Sequence, residues 1–179
     1  DRYATRPSPY TTDTHITSYL LRNAWQRGAH QWSADVERRE DRLDNASTTP
    51  TRSRRAQDAL ALGYGLRSGQ HTLQLNLRHD QDSEFGGNTT GSVGYAYALS
   101  PRWRASASAG TAFRVPTLFQ RFSIYGTPDL KAETARNMEA GLRWQEAASR
   151  ASVVVYRNRV KDLIDYLAGP GSCVNGVGD

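Results

Sequence analysis

Side chains that could perform acid–base, nucleophilic or metal chemistry are few in this chain and lie far apart. The four histidines, His15, His30, His71 and His79, are scattered, and none stands at metal-ligand spacing to another. Cys173 is the only cysteine and has no histidine near it in sequence, so no thiol nucleophile is paired with a base. We therefore expect no catalytic residue, no metal site and no cofactor, and the sequence indicates that the chain is not an enzyme.

One acidic run has the spacing of a cation site. Asp80, Asp82 and Glu84 occupy alternate positions at the entrance of a predicted loop, and their carboxylate oxygens could coordinate Ca²⁺. The same alternation is typical of a solvated strand end. The sequence favours the solvated strand end over the calcium site.

The one dense basic patch is Arg52-Ser-Arg-Arg55, in a chain whose formal net charge is +5. Elsewhere the arginines are interleaved with acids, as in Glu37-Arg-Arg-Glu-Asp-Arg42, so they do not form the basic stripe of a nucleic-acid binder. The sequence predicts that residues 52–55 form a solvated loop and that the chain has no nucleic-acid partner.

The single cysteine excludes a disulfide within the chain. Cys173 lies in the glycine-rich segment 169–176, a loop-like context. It is either a free thiol or half of a bridge to sequence outside this chain.

Period-two alternation of apolar and polar residues dominates the ordered stretches. Leu60, Leu62, Tyr64 and Leu66 alternate with small or polar residues. The same pattern recurs in residues 30–39, 72–78, 92–99 and 137–144, and less cleanly in 19–25 and 151–155. This is the period of a β-strand with two different faces, so the chain is predicted to be all-β.

Short and long connections take turns between the predicted strands. Tight turns fall at residues 27–30, 68–70, 100–102 and 147–149, and longer links at 43–55, 80–90, 114–133 and in the tail from 168. This predicts an antiparallel up-and-down meander of about eight strands, which is the form of a transmembrane β-barrel wall. No stretch approaches the roughly 18 consecutive apolar residues of a membrane-spanning helix.

All four tryptophans lie beside the short turns. Trp25 and Trp32 bracket Gly28, while Trp103 and Trp144 flank two later turns. Aromatic girdles at the bilayer interfaces anchor outer-membrane barrels, which favours a membrane barrel. Core packing beside the hairpins of a soluble sandwich is the alternative. The many Gly, Ser and Ala residues on the polar positions suit the inside of a wide, water-filled barrel better.

Two longer motifs carry a resemblance to a known family. Gly110-Thr-Ala-Phe-Arg-Val-Pro-Thr-Leu-Phe119 and Gly126-Thr-Pro-Asp-Leu-Lys-Ala-Glu-Thr-Ala-Arg-Asn-Met-Glu-Ala-Gly141 resemble, in order and spacing, the barrel of TonB-dependent outer-membrane receptors. The vitamin B12 (cobalamin) receptor branch is the most similar. Phe85-Gly-Gly-Asn-Thr-Thr-Gly91 and Leu99-Ser-Pro-Arg-Trp103 are similar to that branch as well.

The resemblance covers roughly residues 15–167 and implies part of a 22-stranded transmembrane β-barrel. Family members carry an N-terminal plug that contacts TonB, and this sequence shows neither a plug nor the closing strand with its terminal aromatic. Residues 1–179 are therefore expected to be a partial barrel domain in the outer membrane of a Gram-negative bacterium, in contact with its lipid. The implied function is active uptake of a bulky, scarce nutrient such as cobalamin or a ferric siderophore, with TonB engaged through the plug.

Departures from the family motifs leave the particular nutrient open. Val115, Asp129 and Ala132 stand where Ala, Asn and Pro are commoner. Two other functions are alternatives. Eight strands suffice for a small self-contained outer-membrane barrel that acts as a structural anchor or adhesin. A soluble β-rich module could bind nucleic acid through residues 52–55 in a salt-sensitive way, but it does not account for the tryptophans.

The link from 114 to 133 is the predicted ligand-contacting segment. Its aromatic residues Phe119, Phe122 and Tyr125 suit a large, partly apolar ligand, although packing within the loop is an alternative role for each of them. Glu133 and Arg136 are opposite charges close together in sequence, and we expect an ion pair or a shared network between them.

Overall fold

The structure, a computed structural model, describes residues 2–5, 10–167 and 173–176. Nearly all of the described chain is β-strand. In chain order the elements are β1 (Arg2–Thr5), β2 (Tyr10–Arg27), β3 (His30–Asn45), β4 (Arg52–Ser68), β5 (His71–Asp82), β6 (Gly86–Ala98), β7 (Trp103–Arg114), α1 (Leu118–Phe122), β8 (Glu133–Glu146), β9 (Ser149–Lys161), β10 (Ile164–Tyr166) and β11 (Cys173–Asn175). Among these residues no helix has the length and apolarity to cross a membrane.

Strands β1 to β9 form one antiparallel sheet in which every strand pairs with its neighbours in sequence. The prediction of an all-β up-and-down meander is therefore confirmed, and the eight predicted strands correspond to β2–β9. The sequence missed β1, a short ninth strand at the edge, and the small separate sheet in which β10 pairs with β11.

The strand register divides the sheet into two faces of different chemistry. Trp32 lies opposite Tyr64, and Leu62 lies opposite Leu77, so both pairs belong to what we call the apolar face. The intervening positions form the polar face, where Asp35 on β3 pairs with Arg22 on β2.

Large side chains on the apolar face are exposed in this sheet. Leu62 is 49% exposed, Leu77 is 54% exposed and Val153 is 70% exposed. A continuous apolar surface of this size is unfavourable in water, so this face requires an apolar environment.

The tryptophans pair across the strands at the short-turn end. Trp25 lies directly opposite Trp32, and Trp103 lies directly opposite Trp144, all on the apolar face. The predicted placement of the four tryptophans beside the short turns is confirmed. Trp25 and Trp32 flank the turn between β2 and β3, Trp103 follows the turn between β6 and β7, and Trp144 precedes the turn between β8 and β9.

Histidines extend this aromatic belt, a role that their spacing in the sequence does not indicate. His30 Nδ1 lies 2.9 Å from the hydroxyl of Tyr64, and His71 Nδ1 lies 2.7 Å from the hydroxyl of Tyr95. The His71 ring also packs against Tyr97 at 4.9 Å. Aromatic side chains with one polar group are favourable at an interface between an apolar and an aqueous environment.

Two of the long links are shorter than the sequence predicts. Residues 46–51 join β3 to β4, where the prediction was 43–55, and residues 83–85 join β5 to β6, where it was 80–90. These strand ends carry mostly polar residues on both faces, so the sequence shows no apolar–polar alternation there. Their backbones nevertheless continue the hydrogen bonds of the sheet. The link between β7 and β8 stays long, and it contains α1. Of the predicted tail, residues 168–172 and 177–179 lie outside the described residues.

Candidate functional site at the long-link end

A cavity of about 710 Å³ opens on the polar face at the end of the sheet where the long links lie. Strands β2 to β7 and the start of the link 115–132 line it. Its lining combines cations, carboxylates and apolar groups, among them Arg39, Arg78, Arg114, Asp41, Leu43 and Phe119. Such a mixed lining suits a ligand that is both charged and partly apolar.

The link 115–132 folds back onto the sheet through α1. Thr117 caps this helix: its Oγ1 accepts a hydrogen bond from Gln120 N at 3.1 Å, and Gln120 Oε1 accepts one from Thr117 N at 2.9 Å. Leu118 in the first turn is buried, and α1 contacts β3 and β4. The link therefore covers part of the polar face.

Arg55 fastens the link to the sheet. Its Nη1 donates to the carbonyl oxygen of Pro116 at 2.5 Å, its Nη2 donates to Asp41 at 2.8 Å, and its Nε lies 3.4 Å from an oxygen of Asp82. The prediction that residues 52–55 form a solvated loop is wrong. They begin β4, and strand geometry places Arg55 on the polar face under the link, where only 5% of its side chain is exposed.

The acidic run is also more buried than predicted. Asp80 and Asp82 are buried, so the predicted solvated strand end is wrong. Arg78 pairs with Asp80 at 2.8 Å, and Glu84 pairs with Arg121. The reason is that alternate positions on β5 place Arg78, Asp80 and Asp82 on the polar face, where Arg55 of β4 also lies, while α1 brings Arg121 to Glu84. In the part of the chain that the structure describes, no three potential ligands are grouped to hold a metal ion.

Glu133 is buried where the link enters β8, beyond the apolar band of the sheet. It accepts from Arg114 Nε and from Ile164 N, the latter at 2.7 Å. The expected pair of Glu133 with Arg136 is not the one that forms, because residues three apart on a strand lie on opposite faces. The Arg114 hydrogen bond, with help from the Ile164 N–H, holds the pKa of the Glu133 carboxyl below its usual range.

The three aromatic residues predicted to contact ligand lie in different surroundings. Phe119 lines the cavity and is 38% exposed. Phe122 packs under the Arg121 guanidinium, whose carbon lies 4.8 Å from the ring centre. Tyr125 packs edge-on against Tyr166, with ring centres 5.9 Å apart. The structure brings Phe119 to the cavity and turns the other two towards protein neighbours.

The β10–β11 sheet closes the far side of the link. Asn175 accepts from Lys131 N at 2.7 Å and donates to the carbonyl oxygens of Lys131 and Asp162. Cys173 is a free, buried thiol on β11, and burial raises its pKa. Its backbone N–H donates to Tyr125 O at 2.9 Å, so β11 is held against the link.

Residues 1–177 match the family described as TonB dependent receptor-like, beta-barrel. The chain belongs to the TonB-dependent receptors. This agrees with the resemblance of residues 110–119 and 126–141 and with the two-faced antiparallel sheet.

Two relatives of this TonB-dependent receptor chain are vitamin B12 transporters named BtuB. The protein from Vibrio vulnificus is 35% identical over 102 residues, which is 56% of this chain and 17% of the relative. The protein from Vibrio cholerae is 27% identical over 166 residues, which is 92% of this chain and 26% of the relative. The chain thus spans about a quarter or less of the length of these curated relatives.

Solved structures support the fold of the receptor chain. The siderophore receptor PirA of Pseudomonas aeruginosa superposes with a TM-score of 0.83 at 22% identity, covering 97% of this chain and 36% of PirA. The ferric enterobactin receptor PfeA of the same species gives 0.79 at 20% identity, covering 87% of this chain and 28% of PfeA. At these identities the likeness concerns the fold alone.

Proposed function

We propose that this chain is part of the barrel wall through which a bulky, scarce nutrient of the cobalamin or ferric-siderophore type is taken up across the outer membrane of a Gram-negative bacterium. The family match over residues 1–177 carries the proposal. Relatives named as transporters and receptors support uptake over the alternative of a structural anchor or adhesin. Energy would come from TonB, acting through a plug encoded elsewhere in the full-length protein.

In this proposal the two faces of the sheet have different surroundings. The apolar face contacts membrane lipid, which accounts for exposed residues such as Leu62 and for the aromatic belt. The polar face lines the lumen, where the ion pair of Arg22 with Asp35 remains hydrated. In this orientation the long links lie outside the cell, where an incoming nutrient meets them first.

We place ligand contact on the link 115–132. Phe119 contributes directly, since it lines the cavity with part of its ring exposed. Phe122 and Tyr125 belong to the same candidate site, and their contacts to Arg121 and Tyr166 make them supports of the loop as well. The arginines that line the same cavity as Phe119 suit a ligand with negative charge.

The test uses the full-length receptor and a panel of cyanocobalamin, a ferric catecholate and a ferric hydroxamate siderophore. Phe119→Ala should weaken binding of the accepted ligand by about tenfold, as expected when a buried aromatic contact is removed. Ile124→Ala is the matched control, because Ile124 lies in the same link and is 60% exposed. Deletion of residues 119–126 should impair binding while heat-modifiable mobility shows a folded barrel, whereas deletion of residues 68–70 should harm assembly first.

Two results would contradict the proposal. Binding that survives the deletion of residues 119–126 would remove this link from the site. Unchanged uptake of every panel member after loss of the whole receptor would contradict nutrient transport itself.

A further inference from the structure

Four cations stand together on the apolar face of β8 and β9, and we call them the basic cluster: Arg136, Arg157, Arg159 and Lys161. Arg136 lies directly opposite Arg159 in the register. Arg157 and Lys161 occupy the next positions of the same face on β9, one on each side of Arg159. All four residues are exposed.

Four neighbouring positive charges repel one another, so this arrangement is unfavourable unless an anion binds to it. Side chains directly opposite on antiparallel strands are roughly 5 Å apart at Cβ and diagonal ones about 7–8 Å, and like charges so placed repel. Among the residues that the structure describes, no ion pair involves any member of the basic cluster. Glu133 and Glu139 of β8 lie on the polar face, and Glu146 pairs with Arg102 at the short-turn end. Asp162 follows Lys161 after the end of β9.

Arg38 on β3 lies on the same face at a similar distance from the aromatic belt, but it has carboxylate partners. Arg38 lies 3.0 Å from Asp58 and 3.4 Å from Glu40, so its charge is balanced within the sheet. The charge of Arg38 on β3 is therefore balanced by carboxylates of the sheet, whereas the basic cluster on β8 and β9 stays strongly positive.

The distance of the basic cluster from the aromatic belt, measured along the membrane normal, places the cluster near the lipid head groups of the opposite leaflet. Trp144 marks the aromatic belt, and Arg136 lies eight residues further along β8 on the same face. Eight residues span about 27 Å along a strand, or about 20 Å along the membrane normal for a strand tilted by about 40°. The apolar band of outer-membrane barrels is about 25 Å tall, and long arginine side chains extend towards its border.

We propose that the basic cluster binds the phosphate groups of an anionic lipid in the leaflet at the long-link end. Guanidinium groups hold phosphate oxygens in paired hydrogen bonds, and the apolar residues below, such as Met138 and Leu142, lie beside the acyl chains. In a Gram-negative outer membrane the phosphorylated lipid of the outer leaflet is lipopolysaccharide. The inference rests on the membrane placement proposed above and goes beyond nutrient uptake.

Full-length receptor in neutral detergent, titrated with purified lipopolysaccharide, tests this site. The variant Arg136→Gln/Arg159→Gln should bind the lipid about 30-fold more weakly, since each cation near a lipid surface contributes about 1 kcal/mol. Arg143→Gln/Arg150→Gln is the matched control, because it removes the same charge from the same two strands at the short-turn end. Removal of the lipid phosphates should weaken wild-type binding as strongly as the first variant does.

Heat-modifiable mobility and nutrient binding separate this inference from the proposed function. Both should be unchanged in Arg136→Gln/Arg159→Gln, and Arg157→Gln/Lys161→Gln provides a second variant of the basic cluster. Equal lipid affinity in cluster and control variants would overturn the lipid site and leave the transport proposal standing. Displacement of the lipid by equimolar inorganic phosphate would likewise overturn a site for lipid. Absence of the receptor from the outer-membrane fraction would overturn the membrane placement and the lipid site together.

Discussion

At the scale of single residues, Arg55 connects the strands of the sheet to the link 115–132. One guanidinium reaches the Pro116 carbonyl of the link and the carboxylates of Asp41 and Asp82 on two neighbouring strands. A buried cation beside the buried carboxylate of Asp82 and the half-buried carboxylate of Asp41 is costly to assemble, and it is costlier still to leave incomplete.

Replacing Arg55 by Met should therefore destabilise the long-link end by about 3–5 kcal/mol, because Asp41 and Asp82 lose their buried partner. Limited proteolysis of the full-length receptor should show faster cleavage within residues 115–132, and the unfolding midpoint should fall. Arg54→Met, at the exposed neighbouring position, is the control. Equal protease resistance in the two variants would mean that Arg55 does not hold the link.

The sequence predicted a ligand-contacting segment in the link 114–133, whose first residues line the cavity, but it did not identify Arg55. Three basic residues in a run look like a solvated patch until the register is known. Pairing of β3, β4 and β5 is what brings Arg55 beside Asp41 and Asp82, and that pairing depends on contacts between distant segments. Arg55 and Asp41 could have been found by continuing the strand alternation into the charged ends.

At the scale of elements, the alternation of side chains along each strand gives the sheet one apolar and one polar face. Leu75 lies on the apolar face opposite Val93, whereas Gln74 lies on the polar face opposite Gly94. The alternation was visible in the sequence wherever one face is apolar, so the existence and order of β2–β9 were predictable. Strand lengths were not, because the outer ends of β3, β4 and β5 carry polar residues on both faces.

Leu75→Arg should destabilise the folded barrel by about 2–4 kcal/mol, since it places a charge in the middle of the lipid-facing band. Gln74→Arg, one position away and facing the lumen, should cost much less. Unfolding of the full-length receptor in lipid vesicles against guanidinium measures both. Similar losses for the two variants would indicate that the two faces do not separate lipid from water.

At the scale of the whole molecule, both ends of the sheet carry distinct structures. The short-turn end has the paired tryptophans and the histidine–tyrosine contacts, and the other end has α1, the β10–β11 sheet and the cavity. This asymmetry predicts an orientation across the membrane, with the short turns in the periplasm and the link 115–132 outside.

Labelling of single cysteines on intact cells tests this orientation, which is the central claim, most directly. In a full-length receptor that carries Cys173→Ser, a cysteine at Thr49 should react with an impermeant thiol reagent, because residues 46–51 lie at the long-link end. Cysteines at Ser68 and Ala148 should react only after the outer membrane is opened. Equal labelling of all three positions on intact cells, or labelling of Ser68 and Ala148 alone, would contradict the placement of this chain as an outer-membrane barrel wall.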